Sequence, residues 1–235
     1  MRAILDHTED VAAHIRTFWF KPDHSVRYIA GQFTELYLPH DNHDDRGIKR
    51  WFTLSSSPTD QLLSITTKFV PEGGSTFKQT LYDLPLGTSV ILADPMGDFV
   101  LPKDKTIPLV FVAGGIGVTP MHSMIKWLVD TGEKRPVTLL YAAGHVDEIA
   151  FAPLFKKYLG KRYVPIVKEP ARTWRGQTGG LDAARILALA PDDGKALYYI
   201  SGPEPMVEAF SKDLHTAGVP KHRVVGDFFP GYLQP

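Results

Sequence analysis

Residues 50–58 read RWFTLSSSP. One fixed cation, Arg50, and two aromatics, Trp51 and Phe52, lead into hydroxyls at Thr53, Ser55, Ser56 and Ser57. The apolar neighbours mark a strand, yet a strand with only a packing task would spend those positions on Val and Ile. Arginine grips a phosphate with two parallel hydrogen bonds. Three further segments carry glycines where a strand or loop enters a helix. PEGGSTFKQTL (71–81) places Gly73, Gly74, Ser75 and Thr76 at a helix start. AGGIGVTPM (113–121) joins a buried strand to a helix through Gly114, Gly115, Gly117, Thr119 and Pro120. YISGPEPM (199–206) ends another apolar strand in Ser201, Gly202 and Pro203, with Met206 one turn on. Glycines let a backbone approach a ligand, and the unpaired N–H groups of a first helical turn can face an anion. Each segment taken alone fits a tight turn as well as a phosphate cradle. The second is not GxGxxG, because Pro120 stands at the third glycine.

Other polar groups point less sharply. The end of the chain, GDFFPGYLQP (226–235), holds an acid and three rings, which either dock the tail or stack on a planar ligand. HDNHDD (40–45) has His and Asp at loop spacing without a remote partner, so it reads as a solvated turn, not a metal site. The chain has no cysteine, which excludes disulfides, a thiol nucleophile and a Cys-held iron–sulfur cluster within it. Lys plus Arg equals Asp plus Glu at 26 each, so charge gives no support for a nucleic-acid partner. The longest apolar run, 107–121, is interrupted by three Gly and two Pro and is no membrane span. A cytoplasmic monomer is the expectation.

Two kinds of element must position these groups. With 235 residues, two domains fit. Segments 14–20, 33–38, 50–56, 62–70 and 88–94 are short and rich in β-branched and aromatic residues, and only 75–84 reads as a helix among them. That pattern suggests a β-barrel or sandwich over residues 1–102. From residue 107 strands and helices alternate. Strands are expected at 107–114, 137–142, 163–168, 197–201 and 223–229, and helices at 119–130, 148–159, 182–189 and 204–218. A doubly wound α/β domain with a parallel five-stranded sheet follows, over 107–235. Thr119 is expected to cap the first of its helices, with Pro120 in the first turn. If the sheet reverses its strand order between 107–114 and 197–201, both glycine turns meet at a binding crevice.

In that order, these segments resemble the ferredoxin–NADP reductase superfamily of flavoproteins over almost the whole chain. The resemblance implies a Greek-key antiparallel β-barrel that binds FAD and an α/β domain that binds NAD(P)H. Arg50, Phe52 and Thr53 match an Arg-x-Tyr-Ser/Thr motif, with Phe in place of Tyr. By that match Arg50 pairs with a flavin phosphate, Thr53 approaches flavin N5, and Phe52 packs on the ring with no hydroxyl to donate. Cofactor contacts are implied also for Leu54, Ser55, Thr67 and Lys68. Gly73, Gly74, Ser75 and Thr76 resemble the pyrophosphate loop. Gly114, Gly115, Gly117, Thr119 and Pro120 resemble the nicotinamide-nucleotide loop, and Gly202, Pro203 and Met206 a second nucleotide motif. Ser201 stands where many members carry Cys, and Phe229 is assigned to the flavin face.

The activity implied is hydride transfer from NAD(P)H to FAD, then electron release to a separate acceptor such as ferredoxin or flavodoxin. Thr53, Ser201 and Phe229 would serve the reacting rings. An NAD(P)H:flavin reductase that releases free reduced flavin is the alternative, supported by a likeness of WRGQTGG (174–180) to that branch. A non-catalytic electron-relay subunit is a third reading. Lys168 and Arg175, with Arg172, are candidates for an adenosine 2′-phosphate, which favours NADPH. The serines of 55–57 are expected to line the route between phosphate and flavin ring, while Trp51 and Leu54 turn into packing.

Overall fold

The computed structural model describes residues 1–41, 43–44, 47–70, 74–190 and 194–228. Six antiparallel strands come first: β1 (Arg2–Ala12), β2 (Ile15–Pro22), β3 (Phe33–Tyr37), β4 (Lys49–Thr53), β5 (Leu63–Lys68) and β6 (Ser89–Leu92), in the order β4-β3-β6-β1-β2-β5. β1 is absent from the sequence expectation. Its Ala3 and Leu5 are buried while Arg2, Ile4 and Asp6 face water, so an acid-rich segment is a half-buried strand. The edge strands meet just past β4, through one bridge between Leu54 and Ile65 and a bond from Ser55 N–H to the Ser64 carbonyl at 2.8 Å. The sheet is therefore barrel-like and joined only at that point. Phe18, Phe20, Leu36, Phe52, Leu54 and Ile65 fill it. Helix α1 (Thr76–Tyr82) adds Phe77 and Leu81 to the same core, and the Ser75 hydroxyl caps it by accepting from Lys78 N–H.

The second sheet is wholly parallel. It comprises β7 (Leu109–Gly114), β8 (Val137–Ala143), β9 (Tyr163–Val167), β10 (Gln177–Thr178), β11 (Leu197–Ser201) and β12 (Val224–Asp227), in the order β10-β9-β8-β7-β11-β12. Five strands were expected; the sixth is the two-residue β10, too short to leave a pattern in sequence. Every residue of β7 is buried, as a central strand covered on both faces requires. Helices α2 (Thr119–Thr131) and α3 (Ala152–Leu159) cover one face, α4 (Ala183–Leu189) and α5 (Glu204–Thr216) the other. The stripe Met121, Met124, Ile125 and Leu128 on α2 is fully buried. Two expectations need correction. Thr119 does not cap α2: residues 115–118 form a 3-10 turn that runs straight into the helix, and Thr119 is already helical, its hydroxyl bonded to the Ile116 carbonyl at 3.1 Å. α3 starts at Ala152, not 148, because Phe151 sits at φ 60°, outside the helical region.

The two sheets are joined through the serine run. Ser55, Ser56 and Ser57 are buried. Ser55 Oγ bonds Ser64 Oγ at 2.8 Å and Thr66 Oγ1 at 2.7 Å, and Ser56 Oγ accepts from Ser64 N–H at 2.9 Å. Their carbonyls face α2: Ser56 accepts from Ser123 Oγ at 2.5 Å, and Ser55 lies 2.7 Å from His122 Nδ1. Thr59 donates to Asp130 at 2.5 Å, and Lys126 pairs with Asp60 at 3.0 Å. The serines thus clasp one domain to the other and do not line a route between ligand parts. His122 is stacked on Phe151 with ring centroids 3.8 Å apart. Burial, reinforced by Lys126, pushes its pKa down to about 4 against the Ser55 bond, so the ring is neutral at pH 7 and donates from Nδ1.

Candidate functional site

A cavity of about 970 Å³ opens between the two sheets. On the barrel side it is lined by Trp51, Phe52 and Thr53 of β4, Thr66, Thr67 and Lys68 of β5, and Lys78 of α1. On the other side the carboxyl ends of the parallel strands supply Gly114–Gly117 and Thr119 at the end of β7 and beyond it, Gly144 after β8, Lys168 after β9, Ser201–Pro203 and Met206 at the end of β11 and beyond it, and Asp227 at the end of β12 with Phe228 after it. Strand β7 lies between β8 and β11, with Ala113 opposite Ser201 in register. This is the strand-order reversal anticipated from the sequence, and it brings both glycine turns to one crevice.

The glycines do two different things there. A Cβ on Gly117 would collide with the Ser201 carbonyl, so only glycine lets the turn after β7 lie on the end of β11. Gly114 and Gly202 are likewise packed against Met206. Gly115, at φ 53°, has open space where a side chain would stand, and so does Gly180 on the cavity wall. Those two leave bare backbone facing the cavity.

Charge in the cavity is mostly positive. Lys68, Lys78 and Lys168 line it. Lys68 reaches across the domains to Glu148 at 2.6 Å, and Lys78 Nζ donates to the Lys68 carbonyl at 3.0 Å. The Lys68 ammonium holds the Glu148 carboxyl below its ordinary pKa against the cost of burial. At the opposite wall Ser201 Oγ donates to Asp227 Oδ2 at 3.4 Å. Burial pushes the Asp227 carboxyl up to about 6, Ser201 opposes this, and the charge of Asp98 adds to it.

Of the expected site residues, the cavity gathers Phe52, Thr53, Thr67, Lys68, Gly114, Gly115, Gly117, Thr119, Lys168, Ser201, Gly202, Pro203 and Met206. It does not gather the others. Leu54 is core, and Ser55 belongs to the interdomain clasp. Arg50 donates to Asp44 Oδ1 at 2.6 Å and to the carbonyls of Gly47 and Lys49, with its guanidinium 5.0 Å above the Phe77 ring. It therefore stands beside Phe77 of α1 and off the cavity wall, and Gly74, Ser75 and Thr76 do not line that wall either. Pro120 is buried in α2. Arg175 is exposed and donates to the Arg172 and Trp174 carbonyls. Gly73 and Phe229 lie outside the described residues. Trp51 reverses its expectation: it is 45% exposed and lines the cavity. Thr66, Lys78, Asp227 and Phe228 are additional lining groups. The sequence signal for Asp227 was its place beside the terminal aromatics; Thr66 and Lys78 carried none, because only the pairing of β5 with the clasp and the docking of α1 aim them. Among the described residues no group of three or more His, Asp or Glu could hold a metal, and no helix is long and apolar enough to cross a membrane.

The cavity fits a long ligand with a flat aromatic part and phosphates. Its wall is mainly apolar, with Trp51, Phe52 and Phe228 among its groups, and the hydroxyls of Thr53, Thr66, Thr67 and Ser201 supply directional bonds. Bare backbone at Gly115 and three lysines suit phosphate.

Comparison with known proteins agrees with this geometry. Residues 111–212 match the family "Oxidoreductase NAD-binding domain". The glycine betaine monooxygenase reductase subunit of Chromohalobacter salexigens is 30% identical over 218 residues, covering 87% of this chain and 57% of the relative. The phenol 2-monooxygenase reductase component of a Pseudomonas species is 28% identical over 217 residues, covering 88% and 59%. The chain thus spans somewhat over half the length of these curated relatives. Among solved structures, the flavohem-like FAD/NAD-binding domain of nitric oxide dioxygenase from Vibrio cholerae superimposes with a TM-score of 0.84 at 22% identity, covering 97% of this chain and 98% of that one. A ferredoxin NADP+ reductase from Neisseria gonorrhoeae, with bound FAD and NADP, gives 0.79 at 18% identity and covers 97% of each. Residues 111–212 thus match the oxidoreductase NAD-binding domain family, and the chain as a whole has the two-domain fold seen in ferredoxin–NADP reductase.

Proposed function

We propose that the chain is an NAD(P)H-dependent FAD oxidoreductase that delivers electrons to a separate acceptor such as ferredoxin, flavodoxin or a partner oxygenase. The observation that carries this is the single cavity in which the Thr53 strand of the barrel faces Ser201 and the Gly114–Gly117 turn of the parallel sheet. A flavin bound there would take up a hydride from the nicotinamide and pass the electrons on. The chain's own groups hold and orient. Thr53 and Ser201, on opposite walls, fix the two rings with one hydrogen bond each, and Phe52 and Trp51 offer apolar contact. Gly115 N–H and the lysines receive phosphates. Asp227, bonded to Ser201, sets which way that hydroxyl points. No strong acid or base is needed, in keeping with a wall of hydroxyls and glycines. For the coenzyme we assign Lys168 to the adenosine 2′-phosphate and hence favour NADPH. Arg175, turned to backbone carbonyls, is a weaker candidate. Comparing kcat/KM for NADPH and NADH in wild type and Lys168→Ala tests this, and an unchanged ratio removes Lys168 from the role.

One observation favours a second reading, the release of free reduced flavin. Arg50, the implied phosphate partner, is engaged by Asp44 and two carbonyls, so it grips a flavin phosphate only by exchanging those bonds. Gel filtration separates the two readings. Retained yellow colour supports a bound FAD, whereas a colourless protein that reduces added flavin supports release.

A further inference from the structure

An apolar patch on the outer surface of the barrel runs up to the mouth of the cavity. Trp51 is on the cavity wall, and the Phe33 ring is 6.0 Å from it. Phe33 and Met96 exchange both backbone hydrogen bonds at 2.9 Å, so Met96 stands beside Phe33. Gln32 ties the next turn on, its amide donating to the Gly97 carbonyl at 3.0 Å and its carbonyl oxygen accepting from Ile29 N–H at 2.9 Å. Trp51, Met96 and Ile29 are 45%, 43% and 56% exposed. Large apolar groups gathered next to a binding cavity and left in water mark a contact surface. The turn is built to be flat. Gly97 has φ 104°, and the Phe33 ring occupies the space a side chain would need.

The charges around the patch indicate what lands on it. Asp94 and Asp98 are both exposed and flank Met96, and Asp98 is close enough to Asp227 in the cavity for their charges to repel. Lys49, on the same face of β4 as Trp51, is paired with Glu35 at 3.3 Å, so its charge is offset there. Arg27, two residues before Ile29, is the one cation on that loop. The surface is therefore apolar at the centre with an acidic edge. On the reductase reading above, electrons must leave through a part of the cavity that another protein can approach, and this patch is continuous with the cavity wall.

We propose that the Ile29–Phe33–Met96–Trp51 patch is the docking face for the electron-accepting protein, and that the acceptor presents an apolar face edged with Lys and Arg. Among the classes of acceptor named above, the acidic edge selects against an acidic ferredoxin or flavodoxin and for a redox protein with a basic face. The inference rests on the reductase reading, and the test separates the two.

Three acceptors are compared with NAD(P)H as donor: 1,4-benzoquinone, a small neutral molecule; cytochrome c, a redox protein with a lysine-edged face; and a plant-type ferredoxin, an acidic one. Ile29→Lys and Met96→Lys are chosen because both side chains are exposed and neither lines the cavity. The expected result is cytochrome c reduction preferred over ferredoxin at low salt. Each variant then lowers kcat/KM for cytochrome c about tenfold, the size of one lost interfacial anchor, and changes the quinone rate less than twofold. Asp94→Lys lowers the cytochrome c rate and raises that for ferredoxin. A normal quinone rate with no effect of any variant on cytochrome c overturns the docking face alone. So does a self-association, seen by sedimentation, that the two lysine variants abolish, because the patch then joins two copies. No oxidation of NAD(P)H with any acceptor overturns the reductase reading and the docking face with it.

Discussion

Thr53 and Ser201 illustrate how little chemistry a side chain must do at this site. Each is a small hydroxyl on a rigid strand end, and each sits on a different domain. Replacing either with Ala should lower kcat/KM for NAD(P)H oxidation about tenfold, the worth of one hydrogen bond of ~1–2 kcal/mol, with the fold intact by circular dichroism. Asp227 has a larger signature. Its carboxyl titrates near 6 in the folded protein, above the ordinary value of 3.8. A raised pKa means the folded state holds the proton longer than the unfolded chain does. Its contribution to stability is therefore full below about pH 4 and is lost as pH rises through about 6. Asp227→Asn should abolish this slope, so that its Tm exceeds that of wild type by a few degrees at pH 7.5 and not at pH 4. Equal Tm differences at both pH values would remove the buried charge from this account.

At the scale of elements, the clasp between the serine run and α2 governs how the two walls of the cavity are held. His122 is pushed down to about 4 from 6.5, so the unfolded chain takes up a proton first as pH falls. Stability that is complete above pH 6.5 is lost as pH falls through about 4. Asp227 titrates in the opposite sense over the same range, so the loss is read against His122→Gln, which cannot charge: wild type should exceed that variant in Tm at pH 7 and lose the advantage by pH 4. Gly117→Ala should be more damaging than Gly115→Ala for folding. The first forces the turn off the Ser201 carbonyl, whereas the second meets open space, costs only the strain of a side chain at φ 53°, and should act on coenzyme KM. The elements that sequence made plain were those with one dominant period. β7 is a continuous apolar run, α2 carries a 3.6-residue stripe, and both glycine turns lie between such segments. β1 escaped because its outer face is acidic, and β10 because two residues form no pattern. The serine run misled for a physical reason. Hydroxyls in a strand satisfy one another when buried as readily as they satisfy a ligand, and only the pairing of Ser55 with Ser64 and Thr66 decides which.

The whole molecule is two dissimilar domains that build one cavity between them. Barrel hydroxyls and α1 face strand ends whose order reverses between β7 and β11. Order and spacing of the glycine motifs were enough to anticipate that arrangement. The direction of long side chains was not: Arg50 turns to Asp44, Arg175 to backbone, and Trp51 outward, each set by partners distant in the fold. The central requirement of the proposed activity is that a flavin and a pyridine nucleotide meet in this cavity. It is tested most directly by the visible absorption spectrum of the protein, reconstituted with FAD and freed of excess by gel filtration, before and after anaerobic addition of NADPH or NADH. Bound yellow flavin that bleaches on addition of the nucleotide, and bleaches far more slowly in Thr53→Ala or Ser201→Ala, is the predicted result. Bound flavin whose absorbance neither nucleotide changes, or no binding of flavin in any state, would contradict it.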